Sequence, residues 1–116
     1  ESVFANAITA LSSENNAFEG EKATLSCNYS GSNIKSWQWY RQYPNIAPEF
    51  LLQALEKPDL SRRLSAKATK DLKQVNLTIS SAEETDSALY CCALQPTVTG
   101  NLRTLYKNLA CNTSIC

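Results

Sequence analysis

Four residues constrain this chain more than any other feature. Cys27 stands twelve positions before Trp39, and Cys92 follows Cys27 by 65 positions, with Tyr90 two residues ahead of it. In an antiparallel two-sheet sandwich that order has a mechanical reason. One cysteine from each sheet meets the other across the core, the indole packs on the bridge, and the tyrosine hydroxyl ties a corner back to the backbone. A bridge closing so long a loop stabilises a domain by about 4 kcal/mol on the chain-entropy model, a large share of a small domain's total. Cys91 competes with Cys92 for the role. Alternation in "SALYCCAL" places Ala88, Tyr90 and Cys92 on one face and Leu89 and Cys91 on the other, so Cys92 points inward.

The rest of the chain fits an all-β framework. "ATLSCNY" puts Ala23, Leu25 and Cys27 on one side, "QVNLTI" does the same for Val75, Leu77 and Ile79, and "SWQWYRQ" and "EFLLQA" are strand-like runs rich in aromatic and apolar residues. Between them, "YSGSN", "YPNIAP", "EKPD" and "SSAEETD" carry the Gly, Pro, Asn, Asp and Ser that turns require, the last suiting one short helical turn. Short strands of period two separated by turns every ten residues or so indicate a sandwich or barrel. At 116 residues there is room for one such domain.

Composition narrows the function. Eleven basic and eleven acidic residues cancel without blocks of like charge, which removes the electrostatic footprint of a nucleic-acid or anionic-membrane binder. The absence of histidine removes the commonest general base and metal ligand, and adjacent cysteines on one strand point to opposite faces, so neither catalysis, a metal nor any other cofactor is expected. No apolar run reaches the roughly 18 residues that span a bilayer. Ala5 and Ala7 suit a signal-cleavage site, so residues 1–5 read either as a signal-peptide remnant or as ordinary leading residues. Five cysteines leave at least one without an intrachain partner, and their wide separation favours an oxidising compartment.

The motifs "ATLSCNYS", "WQWYRQYP", "APEFLL", "RLSAKATKD" and "VNLTISSAEETDSALYCCAL", in that order, resemble an immunoglobulin variable domain, more closely a T-cell receptor variable domain of the alpha or delta type. The resemblance covers residues 6–96. It implies a V-type two-sheet β-sandwich with a Cys27–Cys92 bridge over a core that includes Trp39, Tyr90 and Leu77, and a charged pair, Arg63 with Asp86, at its base. Taken outside the motif, those two residues would read as solvated charges. The resemblance also implies antigen-binding loops: Ser32, Asn33, Ile34 and Lys35 in the first, Ala54, Leu55, Glu56 and Lys57 in the second, and Leu94 and Gln95 opening the third. Tyr40, Gln42, Pro48 and Cys91 fall on the family's inter-chain face. There a tyrosine usually stands in place of Cys91, so an aromatic contact is lost and a partly exposed thiol is expected.

By the same resemblance the partner is a receptor chain of beta or gamma type, the ligand of an alpha pairing is a peptide held by a histocompatibility molecule, and the location is the outer side of the plasma membrane, reached through the secretory pathway. Any membrane anchor would belong to a constant region that these residues do not contain. Sequons at Asn28, Asn76 and Asn112 agree weakly with that route. The main alternative is a V-set immune or adhesion receptor that binds a surface protein without gene rearrangement.

Residues 97–116 depart from the family. Its members continue into a last strand carrying Phe-Gly-x-Gly, and this chain has none. Pro96-Thr97-Val98 can be written CCC ACA GTG, containing the recombination heptamer CACAGTG, and Tyr106 to Leu109 can be written to contain the nonamer ACAAAAACC. The codons between them span about 22 bases, roughly two turns of duplex. The tail is therefore expected to be read-through of an unrearranged variable segment, supplying no regular last strand. A divergent but selected tail is the competing account.

Overall fold

The computed structural model describes residues 7–11, 14–97 and 109–115. Among the described residues there are nine strands, β1 (Ala7–Ala10), β2 (Glu14–Asn16), β3 (Ala23–Ser30), β4 (Ile34–Gln42), β5 (Glu49–Ala54), β6 (Leu64–Thr69), β7 (Gln74–Ile79), β8 (Ala88–Pro96) and β9 (Leu109–Ile115), and one 3-10 turn at Glu84–Asp86 before β8. They make two sheets, ordered β1-β3-β7-β6 and β2-β9-β8-β4-β5. Every pairing is antiparallel except the short edge contact of β2 with β9.

Alternation drives the packing. Ala23, Leu25, Cys27 and Tyr29 are the buried residues of β3, and Val75, Leu77 and Ile79 those of β7, while the residues between them face outward. Cross-strand partners Leu25 with Leu77 and Cys27 with Val75 therefore offer one apolar face to the second sheet. From that sheet Trp39, Tyr90 and Cys92, all fully buried, fill the space, with Cys92 directly opposite Trp39. Cys27 and Cys92 form the inter-sheet disulfide, their Cα atoms 6.7 Å apart. The sandwich, its bridge and the indole against it are as the spacing implies.

The pairing of β4 with β5 is irregular at one point. Trp39 pairs with Leu52, but the next residue, Tyr40, pairs with Phe50, which leaves Leu51 as an extra residue in β5. Such a bulge re-aims the side chains around it. Leu51 and Leu52 both pack against the core, and Phe50 turns to the outer face, where its ring meets Tyr40 edge-on at 5.8 Å.

Two expectations about the end of the chain are corrected. The segment after Pro96 does supply a last strand, since β9 lies between β8 and β2, with Ala88 opposite Ser114 and Cys91 opposite Cys111. A sheet edge is closed by backbone N–H and C=O groups that nearly every residue carries, so a segment without strong alternation can still pair. Cys91 is no exposed thiol: it is 5% exposed and joined to Cys111 by a second disulfide spanning 20 positions. The added strand brings the second sulfur, which the missing tyrosine would not have needed. The signal-remnant reading of residues 1–5, residues 98–108 of the tail, and Cys116 lie outside the described residues.

Candidate functional site

At the base of the sandwich one carboxylate gathers a closed network. Arg63 donates from Nη1 and Nη2 to the two oxygens of Asp86 at 2.8 and 2.9 Å, the backbone N–H of Glu83 adds a bond of 2.8 Å, and the Tyr90 hydroxyl donates to the Asp86 carbonyl at 2.5 Å. The fork of Arg63 fits a carboxylate at two points, which fixes both side chains. These bonds, Arg63's first, hold the Asp86 carboxyl below its ordinary value in spite of its burial. Burial, with the Asp86 charge second, pushes the Tyr90 phenol up to about 12.

The opposite end carries the loops. Gly31 (φ 110°) and Asn33 (φ 59°) take the left-handed backbone that lets β3 reverse into β4, and glycine does so without steric cost. Ser32, Asn33 and Lys35 are exposed there and Ile34 is half-buried. Leu55, Glu56 and Lys57, in the turn after β5, are exposed, and so is Gln95. Gln95 is positioned by β4: its Oε1 accepts from Ser36 Oγ at 2.9 Å and from Gln38 Nε2 at 3.2 Å. Thr97 N–H donates to the Asn33 carbonyl at 2.8 Å, tying the start of the third loop to the first.

Two of the loop residues read from the resemblance are corrected. Ala54 is 2% exposed and Leu94 5%, and both lie opposite Trp37 in neighbouring strands, inside the core. Strand pairing carries β5 and β8 further toward the loop end than the motif boundaries suggest, so the last inward positions of both strands fell within the loop ranges.

Sequence reasoning also missed residues at this end. The β6–β7 turn sets Lys70 and Lys73 beside the first loop, where with Tyr29 and Trp37 they line a cavity of 270 Å³. The signal was available in "TKDLKQ", two lysines around an aspartate between alternating runs, but it contains no Gly, Pro or Asn to mark it as a turn.

A third surface lies on the outside of the five-stranded sheet. Tyr40 and Gln42 are half-buried and Pro48 exposed, while Gln42 Nε2 donates to the Ile46 carbonyl at 3.0 Å and so fixes the β4–β5 hairpin. Phe50 and Ile46 are 57% and 60% exposed. Phe50 and Tyr40 place two aromatic rings on one face, a combination typical of protein-binding surfaces, and Ile46 is exposed in the adjoining hairpin turn. Phe50 was not legible from alternation because the bulge reverses its facing. Cys91, opposite Tyr40, is covered.

Of the glycosylation candidates, Asn28 is exposed on β3 and Asn76 half-buried on β7. Asn76 Oδ1 accepts from Ser26 Oγ at 2.6 Å, a bond that leaves the amide nitrogen, where a glycan would attach, outside it. No helix among the described residues is long and apolar enough to cross a membrane.

A two-sheet sandwich with an inter-sheet disulfide over a buried indole, a tyrosine corner and an added edge strand β5 has the architecture of immunoglobulin variable-type domains. The family model for the immunoglobulin V-set domain matches residues 12–107, and the chain belongs to that family. Among curated relatives it is 35% identical to human T cell receptor alpha variable 9-1 over 78 residues, which is 66% of this chain and 70% of the relative. It is 37% identical to human T cell receptor alpha variable 3 over 83 residues (69% and 73%), and 34% identical to human T cell receptor alpha variable 8-4 over 93 residues (78% and 82%).

Proposed function

We propose that this chain is the antigen-recognition variable domain of a T-cell receptor chain of alpha or delta type. It would pair with a beta- or gamma-type variable domain through the outer face of the five-stranded sheet, and bind a histocompatibility-held peptide through the loops. The observation that carries the reading is the outer face of the five-stranded sheet, where half-buried Tyr40 meets exposed Phe50, apart from a polar loop end. A rigid sandwich gives each surface its own job. Binding rather than catalysis follows from the same division, and two disulfides favour the secretory route and an extracellular position.

Pairing is tested by mixing the full chain with a beta-type variable domain and measuring the mass of the complex by sedimentation. A heterodimer is expected, and Phe50→Asp should weaken it at least about tenfold, as removal of a central aromatic anchor does. Because Phe50 is exposed, the variant keeps the fold. A chain that stays monomeric beside every beta- and gamma-type partner would overturn the reading.

A second reading has one observation in its favour. The strand β9, held by Cys91–Cys111, completes the sheet without a Phe-Gly-x-Gly segment, as a non-rearranging V-set receptor would require. A transcript that reads through the β9 codons straight into a stalk, with no joining segment, would support it. The rearranging reading instead treats residues 97–116 as read-through, and it fails if the coding DNA does not spell the heptamer over codons 96 to 98 and the nonamer over codons 106 to 109.

A further inference from the structure

The cavity between the first loop and the β6–β7 turn has an ordered arrangement of charge and aromatic faces. Lys73 Nζ lies 5.6 Å from the centre of the Tyr29 ring, the Tyr29 and Trp37 rings are 5.7 Å apart and tilted by 50°, and Lys70 Nζ lies 5.8 Å from the Trp37 ring. Two ammonium groups thus bracket two neighbouring rings. The backbone holds this geometry. Tyr29 N–H donates to the Lys73 carbonyl at 2.9 Å, and Lys73 Nζ donates to the Gly31 carbonyl at 2.8 Å, so turn and loop are clamped together.

The charge there is only partly matched. Lys73 spends one of its three donors on a neutral carbonyl, and Lys70 meets only Glu56, at 3.7 Å between two mostly exposed side chains, a pair that contributes little. Beneath them the Trp37 indole N–H is buried without a hydrogen-bond partner. It approaches the Tyr29 phenol closely enough to act against the rise that burial gives that group, but not in a geometry that completes a bond.

We infer that this cavity is a binding subsite for a single carboxylate, an aspartate or glutamate side chain of the partner protein that the loop end meets. Lys70 and Lys73 would supply the ammonium groups and the Tyr29 and Trp37 rings the walls. This rests on the reading of the loop end as a recognition surface and adds the chemistry it selects there. The count of charge favours a monoanion. Lys70 and Lys73 are offset in part by Glu56 and, within the same turn, by Asp71, so the small positive excess left suits a carboxylate better than a phosphate dianion. Cation–π contact also holds both lysines in place before the ligand arrives, which lowers the entropy cost of binding. The incoming carboxylate replaces Glu56 at Lys70.

The test uses the full chain with its disulfides intact, labelled with nitrogen-15, and needs no partner chain, so it can fail while pairing succeeds and the reverse. Two tryptophans give two indole N–H signals, and Trp37→Phe identifies the relevant one. Titration with N-acetyl-glutamate amide is expected to move the Trp37 signal to saturation at millimolar concentration, while the neutral N-acetyl-glutamine amide leaves it in place. Lys70→Gln should weaken binding about fivefold and Glu56→Gln, which removes the internal competitor, should strengthen it about twofold, in line with exposed charge pairs. Equal movement with the glutamine analogue would overturn the inference, as would an unchanged affinity in both variants. Tighter binding of inorganic phosphate than of the glutamate probe would overturn the choice of a carboxylate.

Discussion

The two ends of this sandwich treat charge in opposite ways. At the base, Asp86 is buried and its carboxylate takes three hydrogen bonds, from both sides of the Arg63 fork and from the Glu83 backbone, while Tyr90 binds its carbonyl. At the tip, Lys70 and Lys73 are exposed, held by ring faces and one carbonyl, with Glu56 as a loose counter-ion. A polar cluster that satisfies itself internally belongs to the fold, because breaking it leaves a buried group unpaired. One that leaves donors over can be completed by something else.

That contrast can be broken in a graded series. The largest effect should come from neither end but from the staple between them. Replacing Cys27 and Cys92 together by alanine should lower unfolding free energy by about 4 kcal/mol, read from urea denaturation, and a loss under half of that would mean the sheets hold without the bridge. Next, Asp86→Ala should cost about 2 kcal/mol, less than a fully buried pair would because Arg63 is partly exposed. Tyr90→Phe, which removes only the hydroxyl, should cost about 1 kcal/mol by the same measurement. At the tip, Lys70→Gln should change stability by less than about 0.5 kcal/mol. If it costs as much as Asp86→Ala, the tip is structural and the contrast is lost.

Acid should expose the same difference. The Asp86 carboxyl titrates lower in the folded chain than its ordinary 3.8, so the folded state resists protonation there. The stability this confers is fully present above 3.8 and is lost as pH falls from that value through the lower folded one. Thermal melts from pH 6 downward should show a steeper fall for the wild-type chain than for Asp86→Asn, which has no carboxylate to titrate. Parallel curves would assign the acid sensitivity elsewhere.

Much of the base and core could be read from the sequence because period-two alternation and long-range spacing are global signals. Trp39, Tyr90, Cys27 and Cys92 are fully buried, as are Leu25, Val75, Leu77 and Ile79 from the alternating runs. The tip was less legible. Ala54 and Leu94 were placed among the loops although pairing opposite Trp37 buries them, and Lys70 and Lys73 were passed over because a single Asp71, without Gly, Pro or Asn, marks their turn weakly. Local composition does not say which strands lie side by side at that end. The partner of Cys91 could not be inferred either, since nothing in the tail's pattern announces the register that sets Cys111 across from it.

The extra residue in β5 carries a lesson about what a hairpin of this kind must preserve. The additional position lets two successive leucines face the core while the aromatic ring before them greets solvent. Deleting Leu51 would make the pairing regular with Phe50 still opposite Tyr40 on the outer face, and would take one leucine out of the core packing. A shortened "EFLL" should therefore keep its outward ring and lose stability instead.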